Sequence, residues 1–230
     1  MIAPRCLFAD REEAGWMLVD RLRSRSLHRP LVLAIPRGGI EVGVPLARGL
    51  GAELDVVLSR KLRSPRQPEL ALGAVAEDGS VSLNHFAQAL TDVGDAFIEA
   101  ERRRQMEEIA RRRRLYRSVR PAADPADRTV IVTDDGIATG ATMIAALRTV
   151  RAARPRELIV AIPVAPADRL EALRPACDLL VCLHAADDFW AVGQFYRHFD
   201  QVEDQRVVEL LREEGFPGTK WLPAATTTGT

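Results

Sequence analysis

Residues 130–142 read Val-Ile-Val-Thr-Asp-Asp-Gly-Ile-Ala-Thr-Gly-Ala-Thr and combine several local signals. The apolar run at 129–133 predicts a buried strand, and two adjacent carboxylates, Asp134 and Asp135, follow it directly. A loop rich in glycine and threonine then leads into a predicted helix at 140–153. Because ligands of open α/β sheets bind beyond the carboxyl ends of the strands, this segment is the first candidate site.

The loop after this strand has the properties of a phosphate-binding site. Free N–H groups and the positive end of the dipole at a helix N-terminus suit an anion. Gly136 and Gly140 let the backbone approach a ligand closely, and Thr139 and Thr142 add hydroxyl donors. The neighbouring carboxylates would repel a bare anion, so they fit a ligand that carries hydroxyl groups or a hard cation such as Mg²⁺. These residues point to a sugar phosphate, and they match neither the P-loop nor the dinucleotide-binding glycine pattern.

Short apolar runs alternate with helical patterns on both sides of this segment. The predicted strands are 31–35, 54–58, 129–133, 158–164 and 178–183. The predicted helices are 10–26, 42–50, 95–119, 140–153 and 167–174. A basic, proline-containing stretch at 60–71 predicts a loop, and 71–76 with 81–83 predicts a hairpin. The alternation predicts an α/β fold with a mostly parallel twisted sheet and helices on both faces.

Size and composition indicate an ordinary globular protein. With 230 residues, 47% of them hydrophobic and 28% charged, the chain suits one domain with a large core. We expect that domain to span 1–216 and a disordered tail to follow at 217–230. Lys+Arg and Asp+Glu are balanced at 32 each, which argues against a nucleic-acid or membrane partner.

The cysteines and the first residues give an expectation for the compartment. Cys6, Cys177 and Cys182 form no CxxC pair, which argues against a disulfide framework or a zinc site and fits a reducing environment. The first ten residues lack the apolar stretch of a signal peptide, and no apolar run is long enough to cross a bilayer. We therefore expect a cytoplasmic protein.

Residues 130–142 resemble the diphosphoribosyl-binding signature of type I phosphoribosyltransferases: four apolar or small residues, two acids, then Gly-x-x-Thr-Gly-x-Thr. The resemblance implies the fold of that family, with a flexible active-site loop and a small hood. It also implies 5-phosphoribosyl-1-diphosphate (PRPP) as substrate and Mg²⁺ as cofactor. Asp134 and Asp135 would hold the ribose hydroxyls, directly or through water and Mg²⁺. The 5′-phosphate would bind Gly136, Ile137, Ala138, Thr139, Gly140, Ala141 and Thr142.

Two further segments occur in the order expected for that family. Pro36-Arg37-Gly38-Gly39 resembles its pyrophosphate loop, although a plain turn is the competing interpretation. Lys61 resembles the pyrophosphate-contacting cation that precedes the flexible loop, here about 62–80, with Arg60 and Arg63 as second choices; a solvated basic loop is the alternative. The resemblance thus implies that the catalytic residues are Asp134, Asp135, Lys61 and Arg37.

The resemblance covers a core of about 30–183. Residues 1–28 and 184–214 would form the hood over the acceptor. Four segments look like a group of uncharacterised bacterial phosphoribosyltransferase-like proteins: Ile-Pro-Arg-Gly-Gly at 35–39, Arg-Lys-Leu at 60–62, Pro-Glu-Leu-Ala-Leu-Gly-Ala-Val at 68–75 and Trp-Ala-Val-Gly-Gln-Phe-Tyr at 190–196.

The reaction implied is transfer of ribose 5-phosphate to a nucleophile, with release of pyrophosphate. Ala138 occupies the position of an acid in 6-oxopurine phosphoribosyltransferases, which disfavours hypoxanthine and guanine as acceptors. Adenine, orotate, uracil and non-base nucleophiles stay open, as does a homodimer. The alternative function is a PRPP-sensing regulator that binds RNA, DNA or a protein.

Two clusters bear on these alternatives. The arginine-rich helix 95–119 contains Glu–Arg pairs such as Glu108 and Arg112 four residues apart, which favours a solvated, self-paired face over a nucleic-acid surface. An aromatic lid over a planar acceptor competes with ordinary packing for one group of side chains in the predicted hood. These are Phe189, Trp190, Phe195, Tyr196 and Phe199.

Overall fold

The computed structural model describes residues 6–64, 71–83 and 94–214. The helices are α1 (Arg11–Leu22), α2 (Gly39–Leu50), α3 (Asp95–Arg117), α4 (Ala141–Ala152), α5 (Ala167–Leu173) and α6 (Asp204–Glu213). The strands are β1 (Leu31–Ala34), β2 (Glu53–Val56), β3 (Ser59–Arg63), β4 (Ala71–Ala76), β5 (Val81–Leu83), β6 (Thr129–Thr133), β7 (Glu157–Pro166) and β8 (Leu179–Ala186).

The main sheet has five parallel strands in the order β2-β1-β6-β7-β8. Every residue of β1 and of β6 is buried, as expected for parallel strands covered on both faces. Ala34, the last residue of β1, lies opposite Thr133, the last residue of β6. Their carboxyl ends therefore place the loop at 35–39 beside the loop at 134–140.

Helices cover both faces of this sheet. Val32 belongs to a core cluster that includes residues of α1, α2, α3 and α6, such as Leu18. Leu33 belongs to a second cluster formed with α4 and α5, including Met143 and Leu170. Successive strand residues point to opposite faces, so the continuous apolar run of β1 supplies both cores. The predicted α/β fold is confirmed.

The basic stretch at 60–71 was predicted as a loop, and this prediction is wrong for its first residues. β3 runs antiparallel to β4, which pairs in turn with β5. Leu62 is fully buried within β3, so one apolar side chain anchors a strand whose other residues read as a solvated basic segment. The hairpin of β4 and β5 was predicted correctly.

Two parts of the predicted mobile loop at 62–80, residues 62–63 and 71–76, are strand residues of this small antiparallel sheet. Its residues 65–70 lie outside the described part of the chain, so loop closure stays a prediction. The predicted tail at 217–230 also lies outside the described residues.

The N-terminal helix differs from its predicted extent and buried face. α1 ends at Leu22, four residues earlier than predicted, while Asp10 caps its start by accepting a hydrogen bond from the Glu13 N–H at 2.9 Å. The spacing of Trp16 and Met17 with Val19, Leu22 and Leu27 predicts that all five lie on one buried face of the helix. The side chains of Trp16 and Met17 are nevertheless exposed.

Two parts of the predicted hood pair with each other across the chain. The N–H of Leu7 donates to the Phe195 carbonyl at 2.8 Å, and the N–H of Arg197 donates to the Phe8 carbonyl at 2.9 Å. Helix α6, which no sequence pattern had predicted, follows this pairing. Among the described residues, no helix has the length and apolar character needed to cross a membrane.

Candidate functional site

The loop between β6 and α4 surrounds a cavity of about 220 Å³. Gly140 precedes the first turn of α4 with a φ of 78°, a left-handed conformation that glycine adopts without strain. The cavity is lined by Lys61, Asp134, Asp135, Gly136, Ile137, Ala138, Thr139, Gly140, Thr142, Met143 and Val192. Of the loop residues predicted to bind phosphate, Ala141 is the one that does not line it.

One of the backbone donors assigned to the phosphate is already engaged. The N–H of Ile137 donates to the Val164 carbonyl of β7 at 2.9 Å. The prediction that this amide binds phosphate therefore does not fit the structure. The amides between Ala138 and Thr142, at the N-terminus of α4, are the better candidates.

Gly136 allows the hood to touch the phosphate loop. A Cβ atom at this position would lie 2.6 Å from Val192 Cγ1 and 2.9 Å from Val164 Cγ1. Since real Cβ atoms do not approach other heavy atoms so closely, any larger residue would push Val192 or the loop away. The contact makes Val192 part of the cavity wall.

The two adjacent acids are held by different partners. Asp134 Oδ1 accepts the N–H of Asp135 at 2.9 Å, and Asp135 Oδ2 accepts Arg11 Nε at 2.8 Å. Burial, followed by the neighbouring charge of Asp135, raises the pKa of Asp134 well above its ordinary value. Burial also raises the pKa of Asp135, although Arg11 opposes this effect. The pair is thus a site where a cation or hydroxyl donors would relieve unfavourable negative charge.

The predicted pyrophosphate loop lies directly against the acid pair. A Cβ atom at Gly38 would fall 1.9 Å from Asp135 Oδ2, and one at Gly39 would fall 2.9 Å from Asp134 Cα. Only residues without a side chain permit this approach. Arg37, in contrast, does not line the cavity: its guanidinium forms an ion pair with Glu203 at 2.8 Å.

Lys61 and Arg60 take opposite directions from β3. Lys61 lines the cavity, and its charge is among the influences that lower the pKa of Asp134. Arg60 Nε donates to Gln105 Oε1 of α3 at 3.0 Å, and Arg60 does not line the cavity. The alternation of strand side chains explains the difference. The structure therefore joins Lys61, but not Arg60, to the acid pair.

Two side chains in contact with the acids were not predicted to belong to the site. The Tyr196 hydroxyl donates to the Asp135 carbonyl at 2.5 Å, and burial raises the pKa of Tyr196. Arg11 is 7% exposed and binds the Asp135 carboxylate. Tyr196 belongs to the quoted 190–196 motif, so the sequence gave some indication of its importance. No sequence pattern indicated Arg11, because a charged residue in the first turn of a helix ordinarily faces solvent.

The aromatic residues of the predicted hood divide into a packed group and one exposed residue. Tyr196 stacks on Phe199 with ring centroids 5.0 Å apart, and Phe189 lies 5.4 Å from Phe195. Trp190 is 90% exposed. Packing therefore explains four of these rings, and Trp190 is the one left for another role.

A model of the phosphoribosyl transferase domain matches residues 13–200 of the chain. The chain therefore belongs to the phosphoribosyl transferase domain family, which confirms the resemblance read from residues 130–142. The matched span includes the acid pair, the phosphate loop and most of the predicted hood.

Individual proteins are similar to this chain in sequence or in structure. The proteins MT0597 and Rv0571c, from two strains of Mycobacterium tuberculosis, are provisionally named phosphoribosyl transferases. Each is 41% identical over 205 residues, which is 89% of this chain and 46% of the relative. The chain thus spans about half the length of these curated relatives. The crystal structure of TT1426 from Thermus thermophilus has a TM-score of 0.78 at 42% identity, covering 91% of this chain and 99% of that one.

Proposed function

We propose that the protein is a Mg²⁺-dependent phosphoribosyltransferase that transfers ribose 5-phosphate from PRPP to an acceptor nucleophile and releases pyrophosphate. One observation carries the proposal: the acid pair, the N-terminus of α4 and Lys61 line a single cavity. A helix N-terminus suits the 5′-phosphate, the acids suit the ribose hydroxyls, and the lysine suits the diphosphate. Membership of the phosphoribosyl transferase domain family supports the same chemistry.

The chemistry is a displacement at the anomeric carbon. The bond between C1 and the diphosphate oxygen breaks and its electron pair leaves on pyrophosphate, while the acceptor forms a new bond to C1 and loses its proton. The protein would contribute mainly by positioning the ribose and stabilising the leaving charge. Thr139, Thr142 and the free amides of the loop would fix the 5′-phosphate. Lys61 would offset negative charge that develops on the leaving group.

The residues present fit a magnesium ion that is shared with substrate. Within 6–64, 71–83 and 94–214, no group of three or more His, Cys, Asp or Glu residues could hold a metal ion. Mg²⁺ is commonly bound by one or two carboxylates together with substrate phosphates, and the half-buried acid pair offers two carboxylates. Asp134 and Asp135 would hold the ion, directly or through water, and it would supply positive charge near the leaving diphosphate.

The acceptor is the least determined part of the proposal. Ala138 lines the cavity at the position where 6-oxopurine enzymes of this family have an acid, so we propose an acceptor other than hypoxanthine or guanine. The exposed ring of Trp190, two residues from Val192 in the cavity wall, favours a planar acceptor.

Cys6, Cys177 and Cys182 are free thiols, which supports a reducing compartment such as the cytoplasm.

The arginine-rich helix α3 supports this catalytic proposal over an RNA- or DNA-binding regulator. Glu108 forms ion pairs with Arg111 at 2.7 Å and with Arg112 at 2.9 Å, and Asp204 of α6 also binds Arg111. The Glu108–Arg112 pair was predicted. These arginines are committed to carboxylates, so a phosphate backbone would have to displace those carboxylates.

The proposal is tested by pyrophosphate release from PRPP and MgCl₂ with a panel of bases and amines, measured in a coupled phosphate assay. We expect release with at least one acceptor and its loss in Asp134→Asn/Asp135→Asn. The control is Asp20→Asn/Glu107→Gln, which removes two exposed acids outside the cavity. Absence of PRPP binding by calorimetry, in protein that is folded, would refute the proposal.

A further inference from the structure

We infer that Arg11 is a positioning residue of this site, which fixes the Asp135 carboxylate and ties the acid pair to the 199–200 segment. The inference rests on the proposed function and adds a residue to it. Its basis is the unusual place of this arginine. Arg11 is the first residue of α1, where the helix dipole disfavours a cation, and it is nevertheless buried.

The partners of Arg11 come from separate parts of the chain. Nε donates to Asp135 Oδ2 at 2.8 Å, while Nη1 donates to the Asp200 carbonyl at 2.9 Å and to Glu41 Oε2 of α2 at 3.3 Å. Its Cζ atom lies 3.8 Å from the centroid of the Phe199 ring. A buried guanidinium is costly unless such partners surround it. Here they hold it in one position.

The pair of Arg11 and Asp135 occupies the corner between the acid pair and the predicted pyrophosphate loop. The space that a side chain at Gly38 would need is taken by Asp135 Oδ2 at 1.9 Å and by Arg11 Nε at 3.2 Å. A shift of Arg11 would therefore displace both Asp135 and the loop at 37–39.

This arrangement decides which carboxylate oxygens remain for a ligand. Arg11 takes one oxygen of Asp135, and the N–H of Asp135 takes one oxygen of Asp134. Within the described part of the chain, no further side chain donates a hydrogen bond to either carboxylate. Arg11 thus keeps Asp135 from turning and offsets one of two adjacent negative charges. Lysine would preserve the charge, but its single nitrogen lacks the planar fork that reaches several partners at once.

The test compares two ligands that differ in their need for the acid pair. Ribose 5-phosphate would use both the phosphate loop and the acids, whereas inorganic phosphate would use the loop alone. Calorimetry with MgCl₂ present would measure the Kd of each for the wild type, Arg11→Met and Arg11→Lys. The matched control is Arg21→Met, an exposed arginine of the same helix.

We expect Arg11→Met to raise the Kd of ribose 5-phosphate by about 10- to 100-fold, the range seen when a partner that orients a ligand-holding side chain is removed. The Kd of inorganic phosphate should stay within about twofold, because phosphate would bind the loop alone and a lost hydrogen bond would already change the Kd about tenfold. Arg11→Lys should be intermediate, and Arg21→Met should match the wild type.

Three outcomes would overturn the inference. Equal weakening of both ligands by Arg11→Met would indicate a general structural role, and an unchanged Kd for ribose 5-phosphate in Arg11→Met would show that Asp135 needs no such partner. The third outcome applies if Arg11→Met does not fold. In that case, a folded Arg11→Lys protein with the wild-type ratio of the two Kd values would overturn the inference. A wild type that binds phosphate but neither ribose 5-phosphate nor PRPP would instead refute the proposed function, and this inference with it.

Discussion

Replacing Gly136 by alanine should cost stability because the position has no room for a methyl group. The added Cβ would lie 2.6 Å from Val192 Cγ1 and 2.9 Å from Val164 Cγ1, so these neighbours must retreat by about 0.6–0.9 Å to reach ordinary contact. Overpacking of this kind costs about 1–3 kcal/mol. Alanine also lowers the conformational entropy of the unfolded chain, which offsets about 0.4–1 kcal/mol of this cost. The net loss should be about 1–2 kcal/mol.

Urea unfolding and thermal melting measure this loss. For a chain of this size, 1 kcal/mol shifts Tm by about 2–4 °C, so a fall of roughly 3–6 °C is expected. The affinity for inorganic phosphate should fall as well, because the displaced loop lines the cavity. Adding Val192→Ala removes two of the three close contacts, and the double variant should recover part of both losses.

The control is Gly94→Ala, since no described residue lies within 4 Å of a Cβ atom at Gly94. A Gly136→Ala protein that is as stable as the wild type and binds phosphate equally well would refute the packing argument. So would a double variant without any recovery, because the retreat would then not involve Val192.

Three further predictions follow from polar contacts. Lys61→Met should weaken PRPP binding by about tenfold in calorimetry, as expected for loss of a charged contact, whereas exposed Arg103→Met should not; equal affinities would contradict the role of Lys61. Gln105→Leu frees Arg60 and should lower PRPP affinity by loosening β3; an unchanged Kd would show that β4 alone positions Lys61. Arg111 and the other partners lower the pKa of Glu108 to about 2 from 4.5, so its stabilisation is present above pH 4.5 and is lost as pH falls toward 2. Glu108→Gln should therefore lower the free energy of unfolding by about 1 kcal/mol at pH 7. In urea unfolding, this difference from the wild type should disappear near pH 2. A difference that does not depend on pH would contradict the prediction.

The centre of the main sheet was predictable because β1, β6 and β7 are buried on both faces. Each of them contains a continuous apolar run, and such runs stand out against the helices between them. The antiparallel strand β3 was not predictable in the same way. Its only fully buried apolar residue is Leu62, and its pairing with β4 depends on partners outside the local sequence.

The candidate site divides along the same line. The acid pair and the phosphate loop are contiguous, so thirteen residues contain their pattern. Arg11 reaches Asp135 from 124 positions away, and no local pattern indicates that convergence. The partner of Arg37 was equally hidden: Glu203 precedes α6, a helix that had not been predicted.

The pairing of residues 7–9 with 195–198 also has a consequence for how the molecule folds. Cys6 and Tyr196, whose thiol and carbonyl meet at 3.6 Å, are 190 positions apart. Contacts of such long sequence separation carry a large loop-closure entropy and reward it only after the intervening chain is ordered. The two segments should therefore pair late in folding, after the sheet is complete.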